Sequence, residues 1–491
     1  MNTPYEYFLN QLPTKLMLLS DDDHNWSQEE FISHIEHISI LLSKKNLTPG
    51  ARVGVALGKT VYQVATMLAI WKNDLVYVPI SKKNPTDRVQ YIVENCELSL
   101  LLDDPKVLST SETLELSSAK SPTQNLSYII YTSGTTGMPK GVVIENSSVS
   151  HFYQAILKEK FPLLENKEII LQMVDFSFDI SIWDLGLWFI YGGKLVITDF
   201  ESNALKLIKT MTEHNVTIMT AAAPAYAILM SAKEILKRFD FSTLKLLITS
   251  ASYCPPKVAL EVLDTFNQAT LYNAYGPTEG TVYCTWTKIV KEQINLSEPL
   301  SIGHLLWGMG GAFYLNEKVV DCNQMADGLE AELIISGPQL FLKYWKSPEL
   351  TSEKTLFDNG KRYYRTGDLI TKVGENFYYH GRIDDTIKVN GHRVNLGEIE
   401  ICTSELSFIA HSIVVEKVNE KLQTELFLFY TLNEKREDFH QVEIEMKNQW
   451  NKKLPVYMHP KKAIRLDHFP LSIAGKINKK ELKLKIESGN Y

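Results

Sequence analysis

The sequence predicts an α/β protein in two parts. One is a large multi-layered N-terminal domain over residues 1–383, made of α/β subdomains plus a small β-barrel-like part. The other is a small α+β C-terminal domain over 384–491. Three observations predict this. Short apolar runs alternate with helical patterns through the first half, as layered α/β folds with parallel strands require. Around 310–346 the pattern changes to short strands with turns. After about residue 384 the chain becomes lysine-rich, and the roughly 105 residues that remain are an ordinary domain size. At 491 residues the chain also exceeds the ~250–300 that one core supports.

In chain order, RVGVAL (52–57) predicts a strand, VYQVATMLAIW (61–71) a helix, and LVYVPI (75–80) and LSLLLDD (98–104) further strands. Residues 105–126 are polar and aperiodic, which suits a surface connection. The apolar runs EIILQMV (168–174), KLVITDF (194–200), VTIMTAAA (216–223) and KLLITSAS (245–252) are the next strands, and a helix starts near Asp179. GAFYLNEKVV (311–320) and EAELIISG (330–337) read as antiparallel β structure.

Composition limits function. The net charge of −7, from 51 basic and 58 acidic residues, lacks the basic footprint of sequence-independent nucleic-acid binding. Five scattered cysteines without CxxC spacing argue against zinc and disulfides and suit a reducing cytoplasm. No apolar run approaches the ~18 residues of a membrane span, and the first ten residues show no signal-peptide pattern. A cytoplasmic protein without membrane or nucleic-acid partners, monomeric or weakly dimeric, is expected.

YTSGTTGMPKG (131–141) follows the apolar run Tyr128–Ile130. Its backbone N–H groups and hydroxyls suit phosphate oxygens. It is not a P-loop: Pro139 stands where GxxxxGK[ST] needs glycine, Gly141 follows Lys140 where Ser or Thr is needed, and VVIE (142–145) reads as a strand where a P-loop opens a helix. A surface turn remains the plain alternative.

This loop resembles the phosphate loop of the adenylate-forming (ANL) superfamily, which contains acyl-CoA synthetases, luciferases and peptide-synthetase adenylation domains. Four more segments resemble that superfamily in its own order, from about residue 50 to 482. NAYGPTEG (273–280) is similar to the adenine-binding segment, YRTGDL (364–369) to the ribose-binding segment, GRIDDTIKVNGHRVNLGEIE (381–400) to the interdomain junction, and FPLSIAGKINKKEL (469–482) to the catalytic-lysine segment. Departures are Ala474 for the usual Asn, and Ala331 and Lys343 for usual glycines in GLEAELIISGPQLFLKYW.

The resemblance implies ATP and Mg²⁺ as cofactors and assigns roles residue by residue. Thr132, Ser133, Gly134, Thr135, Thr136, Gly137 and Lys140 hold the β- and γ-phosphates. Asn273, Ala274, Tyr275 and Gly276 form the adenine side, with Tyr275 as an aromatic face. Thr278 meets the α-phosphate and Glu279 the magnesium ion. Asp368 accepts the ribose diol; Arg382 and Lys388 lie near ribose and phosphates. Asp384 is the hinge of a mobile small domain, and Lys476 is the catalytic lysine. Taken alone, the GP and TGD segments read as turns and the 381–400 run as a solvated linker.

Asp179, in FSFDISIWD, marks the branch. At a helix start Asp is commonly an N-cap. By the resemblance it pairs with a substrate α-ammonium, which needs a carboxylate in place of lost solvent. The remaining pocket positions map to Ile180, Trp183, Ala221, Ile248, Ser250, Ala274, Val282 and Tyr283. They carry no second charge, which predicts a hydrophobic α-amino acid. The set is similar to pockets for phenylalanine-like side chains, with Ile180 and Tyr283 bulky enough to shorten it toward a smaller aliphatic residue. Fifteen residues follow Lys476, which leaves no room for a carrier domain. A stand-alone nonribosomal-peptide-synthetase-type adenylation enzyme is expected, loading a phosphopantetheinylated carrier protein in trans. An acyl- or aryl-CoA ligase, which has no need of Asp179, and a catalytically inactive nucleotide-binding regulator are the alternatives.

Overall fold

The computed structural model describes residues 4–11, 17–108, 125–133, 138–159, 161, 164–165, 167–200, 203–383, 386–419, 422–433, 439–470 and 477–489. Two compact units result. The first comprises Met1–Lys82, Val93–Tyr131 and Gly141–Ile383; the second comprises Lys83–Ile92, Thr132–Lys140 and Asp384–Tyr491.

Among the described residues the first unit is built on a six-stranded and a fifteen-stranded sheet. In the smaller sheet the strand Arg52–Val55 pairs in parallel with Val76–Pro79 and with Leu100–Leu102. Every residue of Arg52–Val55 is buried, which explains why the sequence shows a continuous apolar run without alternation. In the larger sheet, Ile169–Gln172, Gly193–Ile197, Ile218–Ala221, Leu246–Thr249 and Thr270–Tyr275 run parallel. The predicted strands over 168–252 thus form. Beyond Tyr275 the pairing turns antiparallel, through Thr285–Lys288 and Ser301–Leu305 to Asn376–Arg382 and Lys361–Val373.

The helix Ile180–Tyr191 is buried on nearly every face, as its unbroken apolar sequence demands. The helix Gln28–Lys44 is amphipathic instead. Phe31, Ile35, Ile38 and Leu42 face inward, and a reciprocal Ser27–Glu30 capping box starts it.

Two predictions need correction. Leu126 belongs to the strand Leu126–Thr132 and not to the preceding connection; residues 109–124 of that connection lie outside the described residues. The TGD segment is not a turn. It lies inside the thirteen-residue strand Lys361–Val373, where Gly367 takes φ +71° and the register slips against both neighbouring strands. A bulge supplies the bend that the turn residues suggested.

In the second unit Thr386–Val389 and His392–Asn395 form a hairpin. Asn390 and Gly391 close it with φ of +50° and +92°, the two left-handed residues of a tight hairpin turn. The strands Ile409–Val418, Thr424–Leu432 and Lys462–Arg465 form a three-stranded sheet. Val414, Leu428, Val442, Met446 and Trp450 fill its core. Two interactions tie the short segments into this unit. Ser133 donates its hydroxyl to the Arg393 carbonyl at 2.8 Å, and Arg88 pairs with Glu398 at 2.6 Å with both side chains at or below 5% exposure.

A buried ion pair resists loss of one partner far more than replacement of both, because the survivor is left charged in an apolar medium. Arg88→Ala or Glu398→Ala should each cost about 3–5 kcal/mol. The double replacement Arg88→Met with Glu398→Met should cost much less. Calorimetric unfolding of the three variants checks this.

Candidate active site

The strand Thr270–Tyr275 and the loop after it carry the first cluster. Asn273 donates its side-chain amide to the Ser301 carbonyl at 2.8 Å. Tyr275 donates its hydroxyl to one Asp368 oxygen in a very short bond. The other Asp368 oxygen accepts from Arg382 Nη1 at 2.6 Å. Asp368 and Arg382 face each other in register on adjacent strands. Burial first, and then the Asp368 carboxylate, push the Tyr275 pKa well up, so its hydroxyl stays protonated and able to donate. Three sequence-predicted ATP-site residues, Tyr275, Asp368 and Arg382, therefore meet through one carboxylate. Tyr275 engages it through its hydroxyl, a role that an aromatic face alone does not include.

The bulge that aims Asp368 has its own supports, which sequence reasoning missed. Glu332, nearly fully buried, accepts from Arg365 Nη2 at 2.6 Å and from the Gly367 amide at 3.0 Å. Thr366 donates to the Leu333 carbonyl at 2.6 Å and accepts from the Asp368 amide at 3.0 Å. The available signal was an acid inside the apolar strand run EAELIISG and an arginine three residues before Asp368.

Thr278–Gly280 form a single 3-10 turn. Glu279 is fully buried, and its Oε1 accepts from the Tyr344 hydroxyl at 2.5 Å. Its backbone carbonyl accepts from the Phe341 amide at 2.8 Å. A carboxylate held in one orientation by a hydrogen bond is a hard oxygen donor of the kind Mg²⁺ takes. Tyr344 is a further residue the sequence did not single out.

Residues 281–283 then cross to the pocket side under strain. Thr281 and Val282 adopt φ of +56° and +70°, a region β-branched residues avoid. Each such residue costs on the order of 1–3 kcal/mol, which the surroundings must offset. Thr281 donates its hydroxyl to the Gln339 carbonyl, and the Cys284 amide donates to the Tyr275 carbonyl at 2.9 Å. Gly276 permits this return. A Cβ there would lie 2.3 Å from the Val282 carbonyl oxygen and 2.7 Å from Tyr283 Cα.

Tyr283 is fully buried and donates to Ser250 Oγ at 2.8 Å. Its ring meets Trp183 edge-on at 5.4 Å, and Trp183 donates its indole N–H to Thr220 at 3.0 Å. Ile248, Ala274 and Val282 are buried in the same core, with Ile180 packed against it half-buried, and Ala221 is buried as well. Asp179 stands at the head of the helix Ile180–Tyr191 but makes no side-chain capping bond. Asp179 thus holds the N-cap position without side-chain capping. Its carboxylate lies near Tyr283, whose pKa is pushed well up by burial first and by the neighbouring Asp184 and Asp179 carboxyls in part.

Asp184 is another residue that residue order does not single out. One turn below Ile180 on the same helix, it is fully buried, and neither carboxyl oxygen has a hydrogen bond of ordinary geometry. Burial pushes its pKa well above the carboxylate range, and the nearby Thr220 hydroxyl lowers it only in part. This carboxyl stays protonated and so adds no charge to the core around Trp183.

The strand Lys140–Glu145 begins at Lys140, and in the second unit Lys388 sits opposite Arg393 in the hairpin. Gly134–Gly137, Asp384 and Lys476 lie outside the described residues. The five cysteines are buried and free.

With this geometry in place, the comparisons with known proteins are specific. The sequence model described as AMP-binding enzyme matches residues 6–345. Tyrocidine synthase 1 of Brevibacillus parabrevis is 28% identical over 94% of this chain and 43% of its own length. Gramicidin S synthase 1 of Brevibacillus brevis is 27% identical over 97% of this chain and 44% of its own. The chain thus spans less than half the length of these relatives. Among solved structures, the Vibrio cholerae adenylation domain AlmE, in complex with glycyl-adenosine-5'-phosphate, superposes with a TM-score of 0.85 at 19% identity, over 99% of this chain and 98% of that one. The α/β fold is therefore that of adenylation domains.

Asp184 gives a pH prediction. Its pKa is raised in the folded state, so it is neutral there and charged when unfolded above pH ~4. Its contribution to stability is present below pH ~4 and is lost as pH rises toward the raised folded value. Asp184→Asn has no such term. The melting temperature of the variant relative to wild type should therefore rise as the pH is raised above ~4 by thermal denaturation; a flat difference would contradict a raised Asp184 pKa.

Proposed function

The chain belongs to the AMP-binding enzyme family of the ANL superfamily, and from that premise we propose that it activates a hydrophobic α-amino acid with ATP and passes it to a carrier-protein thiol. In the first step a carboxylate oxygen of the amino acid attacks the α-phosphorus of ATP. A P–O bond forms, the bond to the bridging oxygen breaks, and pyrophosphate leaves, giving aminoacyl-AMP. In the second step the phosphopantetheine thiol attacks the acyl carbon and AMP departs.

The first step brings two anions together, so the groups that matter are those placed where negative charge accumulates. Lys476 supplies a cation at the carboxylate and the bridging oxygen, and Thr278 a hydroxyl at the α-phosphate. The 131–141 loop, with Thr132, Ser133 and Lys140, holds the outer phosphates. Glu279 holds Mg²⁺, which when bound neutralises phosphate charge. Asp368 accepts the ribose hydroxyls, each of its oxygens having a second lone pair beyond those engaged by Tyr275 and Arg382. Arg382 pairs with that carboxylate and keeps it aimed. Asp384 serves as the hinge about which the small domain, with Lys388 and Lys476, reorients between the steps.

One observation carries the choice of an amino acid over a plain carboxylic acid. Asp179 is a buried residue at the N-cap position of its helix whose side chain makes no capping bond. A position with that desolvation cost and no side-chain capping bond suits a substrate ammonium. AlmE was solved with glycyl-adenosine-5'-phosphate, which supports an aminoacyl adenylate as the product here.

Amino-acid-dependent ATP–pyrophosphate exchange tests the proposal. Lys476→Ala should lower exchange by at least ~10²-fold, the scale seen when a single transition-state donor is removed. Asp179→Asn should lower kcat/KM for amino acids on the order of 10²-fold, as loss of one partner of a desolvated charge pair does. It should do far less to any residual activity on the matching acid without the amine. Equal losses on both substrates would overturn the role of Asp179.

A further inference from the structure

Two neighbouring residues, Tyr344 and Trp345, join parts of the site that lie far apart in sequence. Lys343–Tyr344 is a two-residue strand paired antiparallel with Lys140–Glu145, with Tyr344 opposite Val142. The Leu342 amide donates to the Val143 carbonyl at 2.8 Å, and the Trp345 amide donates to the Gly141 carbonyl at 2.8 Å. Successive side chains of extended backbone leave on opposite faces. Tyr344 and Trp345 therefore reach different neighbours from one fixed length of chain.

Tyr344 reaches Glu279. It is 1% exposed, and its hydroxyl donates to Glu279 Oε1 at 2.5 Å. Its ring lies 4.8 Å from that of Phe341, whose amide donates to the Glu279 carbonyl. Residues 341–344 thus hold Glu279 by both backbone and carboxyl. Trp345 reaches the other way. Its indole N–H donates to the Asn95 carbonyl at 3.0 Å, and the Asn95 side chain accepts from the Tyr131 hydroxyl at 2.7 Å. The Arg52 guanidinium lies over the indole ring at 4.7 Å, a favourable cation–π distance. Gly141 sits between these groups: a Cβ there would lie 3.1 Å from Tyr131 Cζ and 3.2 Å from Trp345 Cβ. Tyr131 and Gly141 are the two ends of the segment 131–141, and Trp345 is tied to both.

We infer that Tyr344 and Trp345 are positioning residues for the nucleotide and its cation. Tyr344 holds the Glu279 carboxylate in the orientation in which it takes the cation that accompanies ATP. Trp345 holds Tyr131 and Gly141 in register with it, because both side chains hang from the same paired strand. This rests on the adenylation reading above and deepens it. Both residues act through others, so their loss falls on cation and nucleotide binding and spares the amino acid.

The test uses the full chain and Mn²⁺ as probe, since its electron paramagnetic resonance signal reports bound cation without turnover. Binding of Mn²⁺ with ATP is titrated in the absence of amino acid, and ATP–pyrophosphate exchange is followed against Mg²⁺, ATP and amino acid in turn. Tyr344→Phe keeps the ring and removes the bond to Glu279. It should weaken Mn²⁺ binding with ATP by ~10-fold or more, the loss typical when the hydrogen-bond partner of a metal ligand is removed. The half-saturating Mg²⁺ in exchange should rise by a similar factor, with the KM for the amino acid unchanged. Trp345→Phe removes the indole N–H and should raise the KM for ATP by about 2–10-fold, the worth of one neutral hydrogen bond. If that variant fails to fold, Asn95→Ala, which releases the Tyr131 end, should show the same rise. A merely structural Tyr344 would lower the melting temperature of the phenylalanine variant without moving its Mn²⁺ affinity, and that result would overturn its role. An unchanged KM for ATP in both Trp345→Phe and Asn95→Ala would overturn the role of Trp345. Either failure leaves adenylation intact, whereas a wild-type chain that neither binds Mn²⁺ with ATP nor exchanges pyrophosphate would remove the adenylation reading itself.

Discussion

A carboxylate withdrawn from water must be answered by charge or by hydrogen bonds, and Asp368 is the point where this protein meets that requirement most completely. Tyr275 donates to one oxygen and Arg382 to the other. The two donors come from distant parts of the sequence: the end of the last parallel strand, and the strand that closes the first unit before residue 384. Because the carboxylate needs both, the parallel and antiparallel parts of the large sheet are held in one arrangement at this spot. Glu332, Arg365 and Thr366 add a second layer that sets the bulge from which Asp368 projects.

From Tyr275 the chain runs only eight residues to Tyr283, and both halves of the site depend on how it does so. Glu279 is turned inward onto Tyr344. Two β-branched residues then sit in left-handed backbone, and Gly276 lets the chain fold back against itself. Strain of this kind persists only where the surroundings determine it several times over. Here the Thr281 bond to Gln339, the Cys284 bond to Tyr275 and the Tyr283 bond to Ser250 do so. The Tyr275–Asp368 cluster and the buried Tyr283–Ser250 pair are therefore set by one segment.

The helix Ile180–Tyr191 shows how neighbouring carboxyls acquire different characters from their surroundings. Asp179, at the helix head, keeps some contact with solvent, while Asp184, little more than one turn deeper, has none. Burial pushes Asp184 to its neutral form, which lets an acid sit in an apolar core without a counter-ion.

Much of this was legible along the chain, because periodicity and glycine placement are local properties. The apolar runs of the parallel strands and the buried helix after Asp179 follow from residue order alone, since strand burial and backbone conformation leave marks within a few residues. Other features had no local mark. Nothing near Asp368 announces a strand with a bulge instead of a turn, because the register slip belongs to the pairing with neighbouring strands. Glu332, Tyr344 and Asp184 are ordinary residues in sequence; only packing decides that they end up buried beside Arg365, Glu279 and Tyr283. The same holds for Tyr283 and Ser250, thirty-three residues apart: their identities were readable, but whether their hydroxyls meet depends on where the fold brings their side chains.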